Sequence, residues 1–245
     1  MTTPAEVLDH TARTFAYNSV SPLIERATGT FRRDMGGSCA QQLRHVRSLL
    51  CAIGVEMNFL RAGNGSVHYV GIANSEKETL FFDPSKGQKF PLSVSDLFRD
   101  GSPISSEAFP TNARIQRLIT LVQTGETTFD ERITTYNQRT GPEGKTDIES
   151  FDVENLTRNP PDSELDCRLA CDSKSIQMVA VLKDEDVATM KIDAKRISLR
   201  MLGEAPTRSV AESKGIFRAI AESCGVSSKE LRQYLHLGYS YLSER

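Results

Sequence analysis

Apolar residues recur at three- and four-residue steps through Leu43, Val46, Leu50 and Ile53, which predicts an amphipathic helix whose first turn contains Cys39. Ahead of it, Val7, Leu8, Phe15, Val20, Leu23 and Ile24 stand among polar residues. Pro4 and Ser21-Pro22 suit the starts of two helices, because proline fits the first helical turn, and both helices are expected to pack against the Cys39 helix. Beyond it, Glu56–Leu60 reads as a strand and Gly63-Asn64-Gly65 as a turn. Residues 67–73 and 78–83 read as two short strands joined by the polar turn Asn74-Ser75-Glu76-Lys77. The expected core is therefore one helix followed by an antiparallel meander of three strands.

Segment 85–110 is rich in Gly, Ser and Pro, with Leu92, Val94, Leu97 and Phe98 as apolar anchors, and reads as a crossing connection at the mouth of a cleft. Ile115, Leu118, Ile119 and Val122 give 111–122 a helical pattern, stopped by Thr124-Gly125. From 126 onward the runs Thr127–Gln138, Thr146–Val153, Asp166–Cys171, Ile176–Leu182, Val187–Ile192 and Ile197–Leu202 are short and β-branched or alternating. Many short strands with Gly/Pro/Asp punctuation predict a β-barrel or a strongly bent sheet. The chain closes on two helices. One carries Val210, Ile216, Phe217, Ile220 and Ala221, and the other starts at a Ser227/Glu230 capping box and carries Leu231, Tyr234, Leu235 and Leu237. The fold class is α+β, with expected divisions at 1–110, 111–205 and 206–245.

Composition narrows the function classes. With 245 residues, a formal charge of −2, 38% apolar and 25% charged residues, the chain has an ordinary soluble composition and no electrostatic case for nucleic acid or a membrane surface. The five cysteines are odd in number and irregularly spaced, which fits reduced thiols better than a disulfide framework. No basic region followed by an apolar run opens the chain, and no stretch approaches the roughly 20 apolar residues that span a bilayer. A cytoplasmic setting is the expectation. Cys167 and Cys171 are four apart but lack a second His/Cys pair, so no metal is expected, and the glycines form no phosphate-cradling loop.

Candidate chemistry centres on three residues. Gly36-Gly37 allows a tight turn before Cys39, with Ser38 as N-cap. A thiol there feels the positive end of the helix dipole, which favours the thiolate, the attacking form. If the hairpin closes with Ala73 opposite Glu78, His68 falls opposite Asp83 on the face shared by Val70/Phe81 and Ile72/Thr79. Opposed side chains have Cβ atoms about 4.5–5.5 Å apart, close enough for a carboxylate to bond an imidazole N–H and fix its tautomer. A one-residue slip would separate the two faces. His45 lies about 600° around the helix from Cys39 and shares no face with it. Arg114 and Arg117 could meet a phosphorylated substrate but read more simply as a solvated helix face. His10 and His236 read as surface or packing residues.

The order Cys39, strand His68, strand Asp83 resembles the papain-like clan that includes the arylamine N-acetyltransferases and the transglutaminase-like proteins. Gly36-Gly37-Ser38-Cys39 is similar to the Gly-Gly-aromatic-Cys signature of the former, and Ala52-Ile53-Gly54-Val55 to the segment that ends the catalytic helix. His68-Tyr69-Val70 and Phe82-Asp83 resemble the family's His and Asp strands. Asp34-Met35 separates Arg33 from the glycines, Ser38 stands in place of the aromatic, and Gln41 stands where Glu is usual. Asp83-Pro84-Ser85 looks more like the Asp-Pro-Thr of transglutaminase-like domains. The resemblance implies a papain-like Cys–His–Asp core followed by a β-barrel-like domain, and Cys39, His68 and Asp83 as the triad. It implies acyl transfer through a Cys39 thioester, from acetyl-CoA or a carrier-bound acyl group to a small amine, with no bound cofactor. Two alternatives stay open: amide hydrolysis or transamidation by the same triad, and a catalytically inactive binding module.

Overall fold

The prolines place the first two helices as expected: α1 is Pro4–Thr14 and α2 is Ser21–Thr28, closed by Gly29 in the left-handed region. The structure, a computed structural model, describes residues 1–63, 68–75, 77–112, 115–137, 146–159, 175–182, 187–193, 197–201 and 210–243. The strand expected at Asp166–Cys171 lies outside the described residues. Among them are six α-helices and three four-stranded antiparallel sheets. Contacts divide the chain into two units, one of residues 1–10 and 43–161, the other of residues 11–42 and 162–245.

Helix α3 (Cys39–Ala52) has its first four residues in the second unit and contributes Leu43, Val46 and Leu50, the predicted apolar stripe, to the first, where all three are fully buried. They pack with Val7 and Leu8 of α1 and with Met57, Phe59, Ala73, Leu80 and Phe82. The sheet beneath runs β2 (Glu56–Arg61), β3 (Tyr69–Asn74), β4 (Thr79–Phe82) and β5 (Leu92–Ser93), in that order. The expected meander is present, with one correction of register. Asn74 pairs with Thr79 and Ile72 with Phe81, so the turn is Ser75–Glu78 and sits one residue later than predicted. That shift moves each cross-strand partner by two positions and so leaves every side chain on its predicted face.

The same unit corrects two further expectations. Segment 85–110 is not an irregular connection. It carries β5, then α4 (Val94–Asp100), N-capped by Ser93 and closed by Gly101, then β6 (Ile104–Asn112). The predicted helix at 111–122 is instead the end of β6 and a central strand, β7 (Ile115–Gln123), paired with β6 on one side and β8 (Thr128–Asn137) on the other. Both periods fit this run, but its β-branched Ile115, Ile119, Thr120 and Val122 favour a pleated surface. Alternation places Ile119 and Leu121 fully inside. Thr124-Gly125 then serves as a hairpin turn, both amides donating to the Thr128 carbonyl. β9 (Thr146–Asp152) completes this sheet, and Phe81, Phe129 and Phe151 form the aromatic centre between it and the first.

In the second unit, the short β1 (Tyr17–Asn18) heads a sheet continued by β10 (Ser175–Val181), β11 (Val187–Asp193) and β12 (Ile197–Met201). Two helices, α5 (Val210–Ser223) and α6 (Ser228–Ser243), cover it. Val20, Leu23 and Ile24 pack here with Ile176, Met178, Ile220, Leu231 and Leu235, so α2 belongs to this core rather than to the one formed by Leu43, Val46 and Leu50. The Ser227/Glu230 capping box is present in both directions: the Ser227 amide and hydroxyl donate to the Glu230 carboxylate at 2.9 and 2.7 Å, and the Glu230 amide donates back to Ser227 Oγ at 3.2 Å. The strands expected from 126 onward are thus shared between two sheets.

Candidate active site

Cys39 opens α3 and is half-buried. Ser38 and Gln41 form a capping box: the Ser38 amide donates to Gln41 Oε1 at 3.0 Å, and the Gln41 amide reaches Ser38 Oγ at 3.5 Å. Gln41, where the resembled family uses Glu, also donates through Nε2 to Glu25 at 2.7 Å. The glycine turn ahead is tightly held. Gly36 has φ +76°, and a Cβ there would lie 2.0 Å from the Ala16 carbonyl oxygen. The Gly37 amide donates to that same oxygen at 2.9 Å, and the Gly37 carbonyl accepts from Asn18 N at 2.8 Å. The Ser21 hydroxyl donates to the Gly36 carbonyl at 2.8 Å. Having used its only proton, Ser21 Oγ accepts from the Tyr234 hydroxyl at 2.6 Å. Burial pushes Tyr234 up to about 12, so it remains a donor.

Gly36→Ala therefore brings both a steric clash and a disfavoured φ. It is expected to cost roughly 3 kcal/mol or more in the chemical-denaturation free energy.

In the first unit, His68 precedes β3 and Asp83 follows β4. His68 Nε2 and Asp83 Oδ2 are 2.7 Å apart, with His68 8% exposed and Asp83 fully buried. They are diagonal rather than directly opposed in the observed register, a separation an imidazole can span. The two Asp83 oxygens have separate duties. Oδ1 caps the turn Pro84–Lys86, accepting from Ser85 N at 3.1 Å, Ser85 Oγ at 2.7 Å and Lys86 N at 3.2 Å. Oδ2 is left to meet the imidazole. The Asp83 amide donates to the buried Gln88 Oε1 at 2.6 Å, whose Nε2 donates to the Phe90 carbonyl at 2.8 Å. Burial raises the Asp83 carboxyl, but His68, Lys86 and Ser85 outweigh it and hold the group well below the usual carboxylate range.

Four more charged residues surround this pair. Glu131 on β8 is fully buried between Phe129 and Ile133 on the inward row of its strand. Its cross-strand partner is Glu149 on β9. Glu149 Oε2 lies 3.6 Å from His68 Nε2, and Glu149 Oε1 lies 3.7 Å from Lys86 Nζ. Burial lowers Lys86, but Asp83, Glu149 and Glu131 raise it further and keep it protonated. Arg117 on β7 is corrected from a solvated helix face to a strand position, where burial lowers it against the opposing pull of Asp83, Glu131 and Asp147. Arg114 lies outside the described residues.

Sequence reasoning missed Glu131, Glu149 and Lys86. The available signal for Glu131 was a carboxylate standing where Phe129 and Ile133 alternate inward. His68, Asp83 and Glu131 each present an atom within 4.8 Å of the other two, the one cluster among the described residues close enough to hold a metal ion. An ion there would have to replace the His68–Asp83 hydrogen bond. His45 is half-buried within α3, and His236 is exposed on α6.

The sequence matches no protein-family model and no curated protein. Among solved structures, the chain is similar to the arylamine N-acetyltransferase from Mycobacterium abscessus, with a TM-score of 0.52 at 11% identity, covering 98% of this chain and 88% of that one. It is also similar to the Nocardia farcinica arylamine N-acetyltransferase, with a TM-score of 0.47 at 13% identity, covering 82% of this chain and 78% of that one. At such identity the likeness is one of fold: the chain has an α+β fold like that of the M. abscessus enzyme. No helix among the described residues is long and apolar enough to cross a membrane.

Proposed function

We propose that Cys39, His68 and Asp83 act as a catalytic triad on a papain-like core, and that the protein is a cysteine-dependent N-acyltransferase. The observation that carries this reading is the buried 2.7 Å bond between His68 Nε2 and Asp83 Oδ2. A carboxylate held ionised against Nε2 fixes the proton there and assigns Nδ1 to exchange protons with the nucleophile. The capped glycine turn gives Cys39 the complementary setting, a thiol at a helix start where the dipole favours thiolate.

Cys39 Sγ attacks the carbonyl carbon of an acyl thioester while its proton passes to His68 Nδ1. The Cys39 amide and a neighbouring amide at the start of α3 stabilise the oxyanion. Collapse expels the donor's thiolate, which takes the proton from His68 and leaves as a free thiol. An amine then attacks the acyl-cysteine, His68 accepts the amine's proton, and the departing Cys39 sulfur recovers it. The donor is acetyl-CoA or a carrier-bound acyl thioester, consumed as co-substrate rather than held as a cofactor. The acceptor is a small amine, and the cytoplasm is the setting that keeps the thiol reduced. A second reading uses the same triad to hydrolyse or transamidate an amide. The Asp83-Pro84-Ser85 sequence favours it, since its turn resembles that of transglutaminase-like domains.

Intact mass after incubation with a panel of acyl thioesters, acetyl-CoA included, tests the proposal. One acyl group on wild type, mapped to Cys39 and discharged by an arylamine, is the expected result; Cys39→Ala should remain unmodified. Inertness to every thioester, with turnover of glutamine or peptide amides, would replace the first reading with the second.

A further inference from the structure

Glu131 is the least explained group in the site. It is fully buried in the low dielectric of the core, on the same inward row as Phe129 and Ile133, and neither carboxyl oxygen has a hydrogen-bond donor among the described residues. One of those oxygens lies within 4.8 Å of both the His68 ring nitrogen and an Asp83 oxygen. Two carboxylates this close in a dry site do not both ionise, because like charges repel and burial penalises each. Asp83 is the one held charged, by His68, the Ser85 hydroxyl and two backbone amides. The proton must therefore reside on Glu131, whose acidity is suppressed first by burial and then by the charge of Asp83.

We propose that Glu131 is a positioning residue for the His68–Asp83 pair, a buried neutral carboxylic acid whose proton is shared with the Asp83 carboxylate. The surrounding charges support a proton in that place. The groups acting on Glu131 are Asp83, Lys86, Glu149 and Arg117, with His68 completing the cluster. Even without Glu131, the acidic residues Asp83, Glu149 and Asp147 outnumber the basic Lys86 and Arg117. Ionised Glu131 would add a further buried negative charge beside Asp83. The shared proton binds Asp83 from the β8 side while the Pro84–Lys86 turn binds Oδ1. The carboxylate plane facing His68 is thereby held from two directions.

The proposal rests on the triad reading only for the role of the pair, and the proton can be sought without reference to Cys39. Infrared spectroscopy of the wild type at neutral pH should show a protonated-carboxyl band, and Glu131→Gln should lose it. Stability gives a second readout with a defined sign. A carboxyl whose folded-state value is raised favours folding most below its unfolded value, about 4.3, and that advantage fades as pH rises toward the folded value. Relative to Glu131→Gln, the wild type's folding equilibrium constant should fall about tenfold for each pH unit across that window. Catalytic turnover, if the triad reading holds, should drop in Glu131→Ala and return in Glu131→Gln, whose amide restores a donor to Asp83. Absence of the band in the wild type overturns the proposal whether or not any variant folds. A bound divalent ion found by metal analysis, or a stability difference that stays flat with pH, overturns it as well. Loss of thioester chemistry with the band present would fault the triad reading and leave the proton in place.

Discussion

Asp83→Asn is expected to lower kcat/KM by about 10⁴-fold while leaving KM nearly unchanged. The size follows from the division of labour between the two carboxylate oxygens. Oδ1 accepts from Ser85 N, Ser85 Oγ and Lys86 N, so the oxygen of an introduced amide must take that side. The NH₂ group is then turned toward His68. An amide donor facing Nε2 forces that nitrogen to accept, which moves the ring proton to Nδ1. In the proposed mechanism Nδ1 receives the nucleophile's proton, so the ring is held in the wrong tautomer with its position unchanged. A stability change accompanies this. Asp83 is depressed in the folded state, so its stabilising contribution is present above the unfolded value of about 3.9 and is lost as pH falls through the lower folded value. The acid limb of the stability profile should therefore flatten in Asp83→Asn, as measured by urea unfolding over a pH series.

Cys39→Ala and His68→Ala are each expected to remove about 10⁴- to 10⁶-fold of kcat, and the double variant should be no slower than either alone. Neither residue has a use in the proposed mechanism without the other. A thiol lacking its base is mostly protonated at neutral pH, and a base lacking its thiol has no proton to accept. Both variants should fold, because half-buried Cys39 and buried His68 lie at element starts rather than inside an apolar cluster. Single-turnover acylation by a thioester, followed by mass, separates the two losses: Cys39→Ala can never form the intermediate, whereas His68→Ala forms it slowly. Additive losses would contradict a shared mechanism.

The sequence exposed the local parts of this fold and fewer of the distant ones. Capping chemistry lies within a few residues, so the Ser227/Glu230 box and the Pro4 and Ser21-Pro22 helix starts were legible. The β3–β4 hairpin was placed one residue early, and the His68–Asp83 contact survived because a two-position change of partner conserves the face. The run 111–122 was misread because its apolar spacing satisfies both periods, and only pairing with β6 and β8 decides between them. Glu131 was overlooked for a related reason. A lone Glu between Phe129 and Ile133 is an ordinary solvent-facing residue until the strand's period is known, and Arg117 became legible only with the same strand assignment. The association of α2 with α6 depends on contacts between ends of the chain that no local pattern encodes.

The most direct test is the rate of Cys39 alkylation by iodoacetamide from about pH 5 to 8, compared within one protein with Cys51. Exposure alone ranks them the other way, since Cys51 is exposed and Cys39 half-buried. A Cys39 that reacts much faster than Cys51 down to the acid end, and slows to the Cys51 rate in His68→Ala, is the predicted result. A Cys39 no faster than Cys51 at every pH, and indifferent to His68→Ala, would contradict the account.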